Sequence, residues 1–172
     1  GGNHLYVGLQ RLNRNANWSS AGSKLLKIDC SSNTVQTVLE SGHDILIYPS
    51  PNERELLLTS NGEDEESGGI ALLNTENDSI ENLLETDSDD ITGAVITDDH
   101  MLFLNLSTDW STHSISCLDL ATGDIDVAHS GEEYLTDIVV GSNEKIYVSA
   151  HWGWQNPGEA APGIYEVDPK LS

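Results

Sequence analysis

The sequence predicts an all-β protein of the β-propeller class, and three observations carry that prediction. First, four similar segments, Lys24–Asp29, Gly69–Asn74, Ser114–Asp119 and Gly163–Asp168, each end on an apolar residue followed by Asp or Asn, and these ends advance by 45, 45 and 49 residues (29→74→119→168). Second, the segments that follow repeat as well, with Val35, Ile80 and Ile125 again 45 apart. Third, no window keeps the i, i+3, i+4, i+7 apolar pattern of a helix without Gly or β-branched interruption. Self-similarity at a period of this size, with four short strands per period, is the signature of propeller blades. A β-sandwich has a similar strand density but requires no fixed period.

Within each period the strands are named a to d, from the central channel outward. Strand a is Ile45–Tyr48, Ile91–Ile96 and Leu135–Val140; it is apolar and includes the small residues Gly93 and Ala94, as suits a strand covered on both faces near the axis. Strand b is Leu5–Leu9, Leu56–Thr59, Leu102–Asn105 and Ile146–Ser149. Between a and b lie Pro49–Asn52, Thr97–His100 and Gly141–Glu144, all rich in turn formers. Strand c is the segment with the Asp or Asn end. The short polar links Cys30–Asn33, Thr75–Asp78 and Leu120–Gly123 then join it to strand d as a hairpin.

This register predicts strands b-c-d, two complete blades, and strands a-b-c, all in one propeller domain over residues 1–172 with blade boundaries near 43, 89 and 134. Two incomplete blades predict a piece of a larger ring, because unpaired sheet edges are features that proteins avoid. The remaining blades are expected from the same parent chain or from a second copy. Closure as a tight four-bladed ring is the other solution that propeller geometry allows.

The b–c–d runs carry a resemblance. Lys145–Ser149, Gly163–Pro169 and Leu118–Ile125 resemble the YVTN or YncE-like and NHL-like propeller repeats, in which a strand of "YV" type leads to an acidic-ended strand and a Gly-containing turn. The resemblance covers essentially the whole chain. It implies a propeller, usually of six to eight blades, and leaves function open, since such propellers bind, scaffold and catalyse.

Composition narrows the partners. Acidic residues number 29 against 7 basic ones, for a net charge of −22. Repulsion at that charge disfavours nucleic acid and anionic membranes as partners. The acids are distributed over loops and strand edges, which suits a solvated surface and an extracellular or periplasmic setting. No apolar run is long enough for direct insertion in a membrane as a helix. Cys30 and Cys117 fall a blade apart in the register, which predicts free thiols.

Alternating strand direction puts the b–c and d–a loops on one face of the disc. The b–c loops, Gln10 to Ser23, Ser60 to Gly68, Ser107 to His113 and Ala150 to Pro162, are long and irregular, which marks that face as the functional one. All four tryptophans lie there, and the candidate ligand-binding residues are Arg11, Arg14, Trp18, Trp110, His113, His151, Trp152 and Trp154. Indoles and imidazoles beside amides and guanidinium groups suit a protein partner or a carbohydrate-like ligand. Each tryptophan also has an ordinary alternative, packing over its own blade.

The d–a links place Asp44, Asp90 and Tyr134 at equivalent positions, and His43, Asp44, Asp89 and Asp90 together form a ring of oxygen and imidazole ligands that suits Ca²⁺ at the channel mouth. The alternative role for these acids is the ordinary one of bonding to backbone amides in turns. No other cofactor is implied. Catalytic motifs are absent: there is no G-x-S-x-G, H-E-x-x-H, phosphate-binding glycine loop or paired C-x-x-C. The expectation is a non-catalytic binding or scaffolding module. The alternatives are a lactonase-like or quinoprotein-like propeller enzyme with its metal or cofactor at the channel mouth, and a structural subunit of a larger assembly.

Overall fold

The Asp or Asn that closes each strand c has a local physical cause. Asp29 accepts hydrogen bonds at Oδ1 from the amides of Ser31 and Ser32, Asn74 from Glu76, and Asp119 from Ala121 and Thr122. Each is an Asx turn, in which a short side chain caps the backbone two residues on. Four residues after each Asx the chain turns left-handed, at Asn33 (φ 56°), Asp78 (φ 59°) and Gly123 (φ 80°). Asn, Asp and Gly are the residues that tolerate this region best. The 45-residue period is therefore first a period of hairpin turns.

The computed structural model describes residues 3–13, 19–41, 45–60, 68–86, 90–97, 101–107, 112–131, 133–151 and 163–168. Fourteen strands are present among them, all paired antiparallel, in sheets of three, four, four and three strands. No helix among the described residues is long and apolar enough to cross a membrane. The chain divides into two compact units, Gly1–Ser88 and Asp89–Ser172.

Unit 1 contains sheet I, formed by β1 (His4–Asn13), β2 (Ser19–Asp29) and β3 (Thr34–Ser41), and sheet II, formed by β4 (Ile45–Pro49), β5 (Glu55–Ser60), β6 (Gly68–Asn74) and β7 (Ile80–Thr86). Unit 2 contains sheet III, formed by β8 (Asp90–Ile96), β9 (Met101–Ser107), β10 (His113–Asp119) and β11 (Ile125–Gly131). Its second sheet, IV, is formed by β12 (Tyr134–Val140), β13 (Ile146–His151) and β14 (Gly163–Val167). The strand assignments match the repeat: strands b-c-d, then a-b-c-d twice, then a-b-c.

The repeat extends to irregularities that composition does not reveal. The c–d ladder shifts register between Leu25 and Leu26, between Ile70 and Ala71, and between Ile115 and Ser116, so one β-bulge recurs every 45 residues. A bulge bends and twists a strand locally, and it recurs at the same place in three sheets.

The first b–c connection differs from expectation. The sequence reading treats Gln10 to Ser23 as a loop, but β1 and β2 continue past the sheet as a two-stranded ribbon, pairing Leu12 with Ser20 and Asn13 with Ser19. Backbone pairing sustains this ribbon without an apolar side-chain pattern, so periodicity does not announce it. Arg11 consequently lies in a strand.

Each sheet has two faces, set by the pairing register. One, here the front face, carries Tyr6, Leu25 and Lys27 in sheet I and Asn105, Ile115 and Cys117 in sheet III. The other, the back face, carries Leu58 and Leu73 in sheet II and Ile146, Val148 and Val167 in sheet IV. In unit 1 the front of sheet I packs on the back of sheet II, with Leu25, Ile45, Leu58 and Leu73 at the centre. In unit 2 the front of sheet III packs on the back of sheet IV, through Ile115, Leu135, Ile138, Ile146 and Val148. Burying each of these side chains stabilises the fold by about 1.5–3 kcal/mol. Both cysteines are free, and burial raises the Cys117 thiol above its ordinary pKa, with Asp126 and Asp119 adding to the shift.

Candidate binding face

In unit 2 the link from β11 to β12 gathers aromatic and ionisable side chains at the end of the sheets where the b–c and d–a connections lie. Tyr134 opens β12 and stands between two imidazoles. His113, at the start of β10, meets it edge-on with ring centroids 4.7 Å apart and planes at 62°. His151, at the end of β13, stacks on it at 4.8 Å and 24°. His113 is 1% exposed, whereas His151 is exposed. The ladder thus runs from the core to the surface and ends on an imidazole held by strand termini.

The preceding residue, Glu133, turns the other way. It is buried, and its Oε1 lies 2.5 Å from His129 Nε2. Burial works to raise its pKa, but its own backbone amide, His129 and the Tyr165 hydroxyl hold the carboxyl below the ordinary range. The same hydrogen bond to Glu133 raises the Tyr165 phenol, and the His129 and Tyr165 rings lie 4.8 Å apart. His129 is on β11 and Tyr165 on β14, so Glu133 ties sheet III to sheet IV. A Cβ at Gly131 would fall 2.1 Å from Glu133 Oε2, so glycine there makes room for the carboxylate. Glu133 and Tyr134 are consecutive, and the tie that anchors one also sets where the other stands.

Unit 1 has two features of its own. A cleft of about 200 Å³ opens at the seam between sheets I and II, lined by Leu39, Ile45, Leu58, Thr59, Ile70 and Asn82 among others. At the opposite end of the strands, Lys27 Nζ lies 2.8 Å from both carboxylate oxygens of Asp78, and Tyr6 donates to Asp78 Oδ1, also at 2.8 Å. A broad depression there is lined by His4, Lys27, Asn52, Arg54, Thr75 and Glu76. Its cations are already matched, Lys27 by Asp78 and Arg54 by Glu76, so it offers little net attraction to an anion.

Of the eight candidate ligand-binding residues, His113 and His151 are brought together, through Tyr134. The Arg11 backbone lies in β1 and its side chain is outside the described residues, as are Arg14, Trp18, Trp110, Trp152 and Trp154. Of the candidate calcium ring, His43, Asp44, Asp89 and the Asp90 side chain also lie outside them; Asp90 opens β8. Among the described residues no three His, Cys, Asp or Glu side chains are grouped to hold a metal. The tie of Glu133 to His129 and Tyr165 was missed from sequence. The available signal was His129 and Glu133 four apart across a glycine-containing link, but Tyr165 joins them only through the sheet packing.

No protein-family model matches this chain, and no curated protein matches it. Solved structures do. TolB from Acinetobacter baumannii superposes with a TM-score of 0.68 at 15% identity, over 99% of this chain and 40% of that one. The fold is a β-propeller. The β-propeller domain of the Trilobed protease from Pyrococcus furiosus matches with a TM-score of 0.61 at 13% identity, over 97% of this chain and 52% of that one. An oligogalacturonate lyase in complex with manganese matches with a TM-score of 0.60 at 11% identity, over 95% and 47%. The chain therefore spans 40 to 52% of the length of these three propeller-containing chains. Likeness at such identities establishes architecture alone.

Proposed function

We propose that this propeller is a non-catalytic binding module of the YncE-like or NHL-like type, recognising a protein or carbohydrate-like ligand through its b–c/d–a face. The observation that carries the reading is the His113–Tyr134–His151 ladder. It presents an imidazole at the surface on a rigid base, and flat rings with polar edges suit the faces of sugars and aromatic side chains. The candidate residues Arg11, Arg14, Trp18, Trp110, Trp152 and Trp154 extend the same face in this reading. A charge of −22 directs recognition toward neutral or cationic ligands, and the same charge supports an extracellular or periplasmic setting.

The test is to screen the intact chain against arrays of neutral oligosaccharides and of peptides, then to repeat the screen with Tyr134→Ala and His151→Ala. Binding that falls at least about tenfold in both variants, the loss of roughly one aromatic contact, supports the module. Hits indifferent to both substitutions refute it. The metal-centred alternative at His43, Asp44, Asp89 and Asp90 is decided separately: a melting temperature that rises with added Ca²⁺ favours it, since ligand binding to the native state alone stabilises that state.

A further inference from the structure

In both sheets of unit 2 a polar side chain stands at the same level of strand b: Asn105 opposite Ile115 in sheet III, and Ser149 opposite Ile164 in sheet IV. On its other side each residue meets a bulge in strand a, between Ile91 and Gly93 in sheet III and between Leu135 and Ile138 in sheet IV. In sheet IV the polar group closes that bulge: Ser149 Oγ lies 2.7 Å from Thr136 Oγ1 and accepts from the Asp137 amide at 3.1 Å. In sheet III the corresponding threonine is engaged elsewhere, since Thr92 Oγ1 donates to the Leu135 carbonyl of sheet IV at 3.0 Å. Asn105 is 0% exposed, and among the described residues neither its Oδ1 nor its Nδ2 has a hydrogen-bond partner. Buried polar atoms are nearly always paired, with protein or with ordered water. Gly93, which pairs with Asn105, keeps space beside the amide: a Cβ there would lie 3.1 Å from Asn105 Nδ2, 3.2 Å from the Thr136 carbonyl oxygen and 3.0 Å from Ile138 Cγ2. The amide nitrogen and the Thr136 carbonyl thus border one point and are no more than about two hydrogen-bond lengths apart, yet they are not bonded to each other.

We propose that Asn105 binds one buried water in the seam between sheets III and IV, and that this water bridges its side-chain amide to the Thr136 carbonyl. The chemistry selects the ligand. The amide presents a donor at Nδ2 and an acceptor at Oδ1, so the occupant must both accept and donate. A bare cation serves Oδ1 alone, and an anion serves Nδ2 alone. A water accepts from Nδ2, gives one hydrogen to Oδ1 of the same planar amide and gives the other to the Thr136 carbonyl, which makes the three bonds usual for a buried water. Ile138 Cγ2 beside the same point limits the occupant to a molecule of this size. Thr92 already bonds the Leu135 carbonyl, and the water takes the next carbonyl along β12. Sheets III and IV are then joined at two successive peptides of that strand. The site is separate from the ligand contacts proposed for the His113–Tyr134–His151 ladder, and neither reading depends on the other.

Oxygen-17 relaxation dispersion on the intact chain counts its long-lived internal waters. A protein of this size holds others, so the reading is the difference between the wild type and Asn105→Leu, whose side chain is similar in size and has no polar atom. The expected result is a count lower by at least one in the variant, with the circular dichroism spectrum retained. An unchanged count in a folded variant overturns the proposal. If Asn105→Leu does not fold, the wild type decides alone: rotating-frame Overhauser spectra, which separate dipolar contact from exchange, are expected to connect water to the Asn105 side-chain amide protons. The absence of that contact overturns the proposal. So does a high-resolution crystal structure in which the Asn105 amide bonds directly to protein groups, with no water within about 3.2 Å of Oδ1 or Nδ2.

Discussion

The Lys27–Asp78–Tyr6 cluster allows an electrostatic magnitude to be worked from geometry. Lys27 and Asp78 side chains are 13% and 22% exposed and 2.8 Å apart, so the pair is partly desolvated and differs from an ordinary surface ion pair. The perturbation is Asp78→Asn. Asparagine keeps the left-handed turn, as Asn33 does at φ 56° in the equivalent hairpin, and it can still accept from Tyr6. It removes the carboxylate charge and leaves the Lys27 ammonium with a neutral partner. Losing a charge-assisted hydrogen bond costs about 1.5–3 kcal/mol, and stranding a fully buried charge costs about 3–5 kcal/mol. For a pair with this exposure the lower range applies, about 2 kcal/mol. At a urea m-value of about 2 kcal/mol/M, the midpoint falls by about 1 M. Because Asp78→Asn also relieves general repulsion in a protein of charge −22, the assay is a double-mutant cycle with Lys27→Met, read by urea unfolding followed by circular dichroism. The expected coupling is about 1–2 kcal/mol. The pH dependence supplies a second check. Although burial works to raise it, the Asp78 pKa is lowered by hydrogen bonds from Lys27 and Tyr6, and the Lys27 pKa is raised, chiefly by its bond to Asp78. The lowered carboxylate contributes stability above its unfolded pKa of about 3.9, and that contribution is lost as pH falls through the folded value. The raised ammonium contributes below its unfolded pKa of about 10.4, and that contribution is lost as pH rises through its folded value. The gap between wild type and Asp78→Asn should be flat near neutrality and close below about pH 4. A coupling under about 0.3 kcal/mol, the level of exposed pairs, would refute the argument that this seam desolvates its charges.

Three further outcomes follow from the same packing. Gly8→Ala should destabilise unit 1 by about 1–3 kcal/mol, measured by urea unfolding, because a Cβ there meets the Ile45 carbonyl oxygen at 2.7 Å and a backbone atom in a strand cannot step aside. Gly131→Ala should lower the melting temperature and change the environment of Tyr134, seen in near-ultraviolet circular dichroism, because its Cβ displaces the Glu133 carboxylate from His129 and Tyr165. An unchanged near-ultraviolet signal would show that the Glu133 tie does not position the ladder. Added NaCl should raise the melting temperature of the wild type, since 29 acidic residues against 7 basic ones destabilise the compact state by self-repulsion that salt screens. A flat response would mean that the acids are far enough apart, or well enough paired, to cost nothing.

What was legible in sequence is what repeats through local chemistry. The Asx ends at Asp29, Asn74 and Asp119 declare the hairpins because a capping carboxylate or amide acts within three residues of itself. Strand order followed, since each strand's neighbour is the next one in sequence. The β1–β2 ribbon was not legible, because a backbone ladder needs no side-chain pattern. The His113–Tyr134–His151 ladder was half legible: the loop class nominated both histidines, but the tyrosine that joins them comes from a different strand, and ring contacts depend on rotamers and sheet packing. The cross-sheet tie of Glu133 to Tyr165 was invisible for the same reason. Sheet I shows the converse. Leu5 reads as a core residue from the repeat, where its equivalents Leu102 and Ile146 are buried, yet it is 53% exposed in sheet I. A local pattern specifies which face must be covered and cannot specify by what.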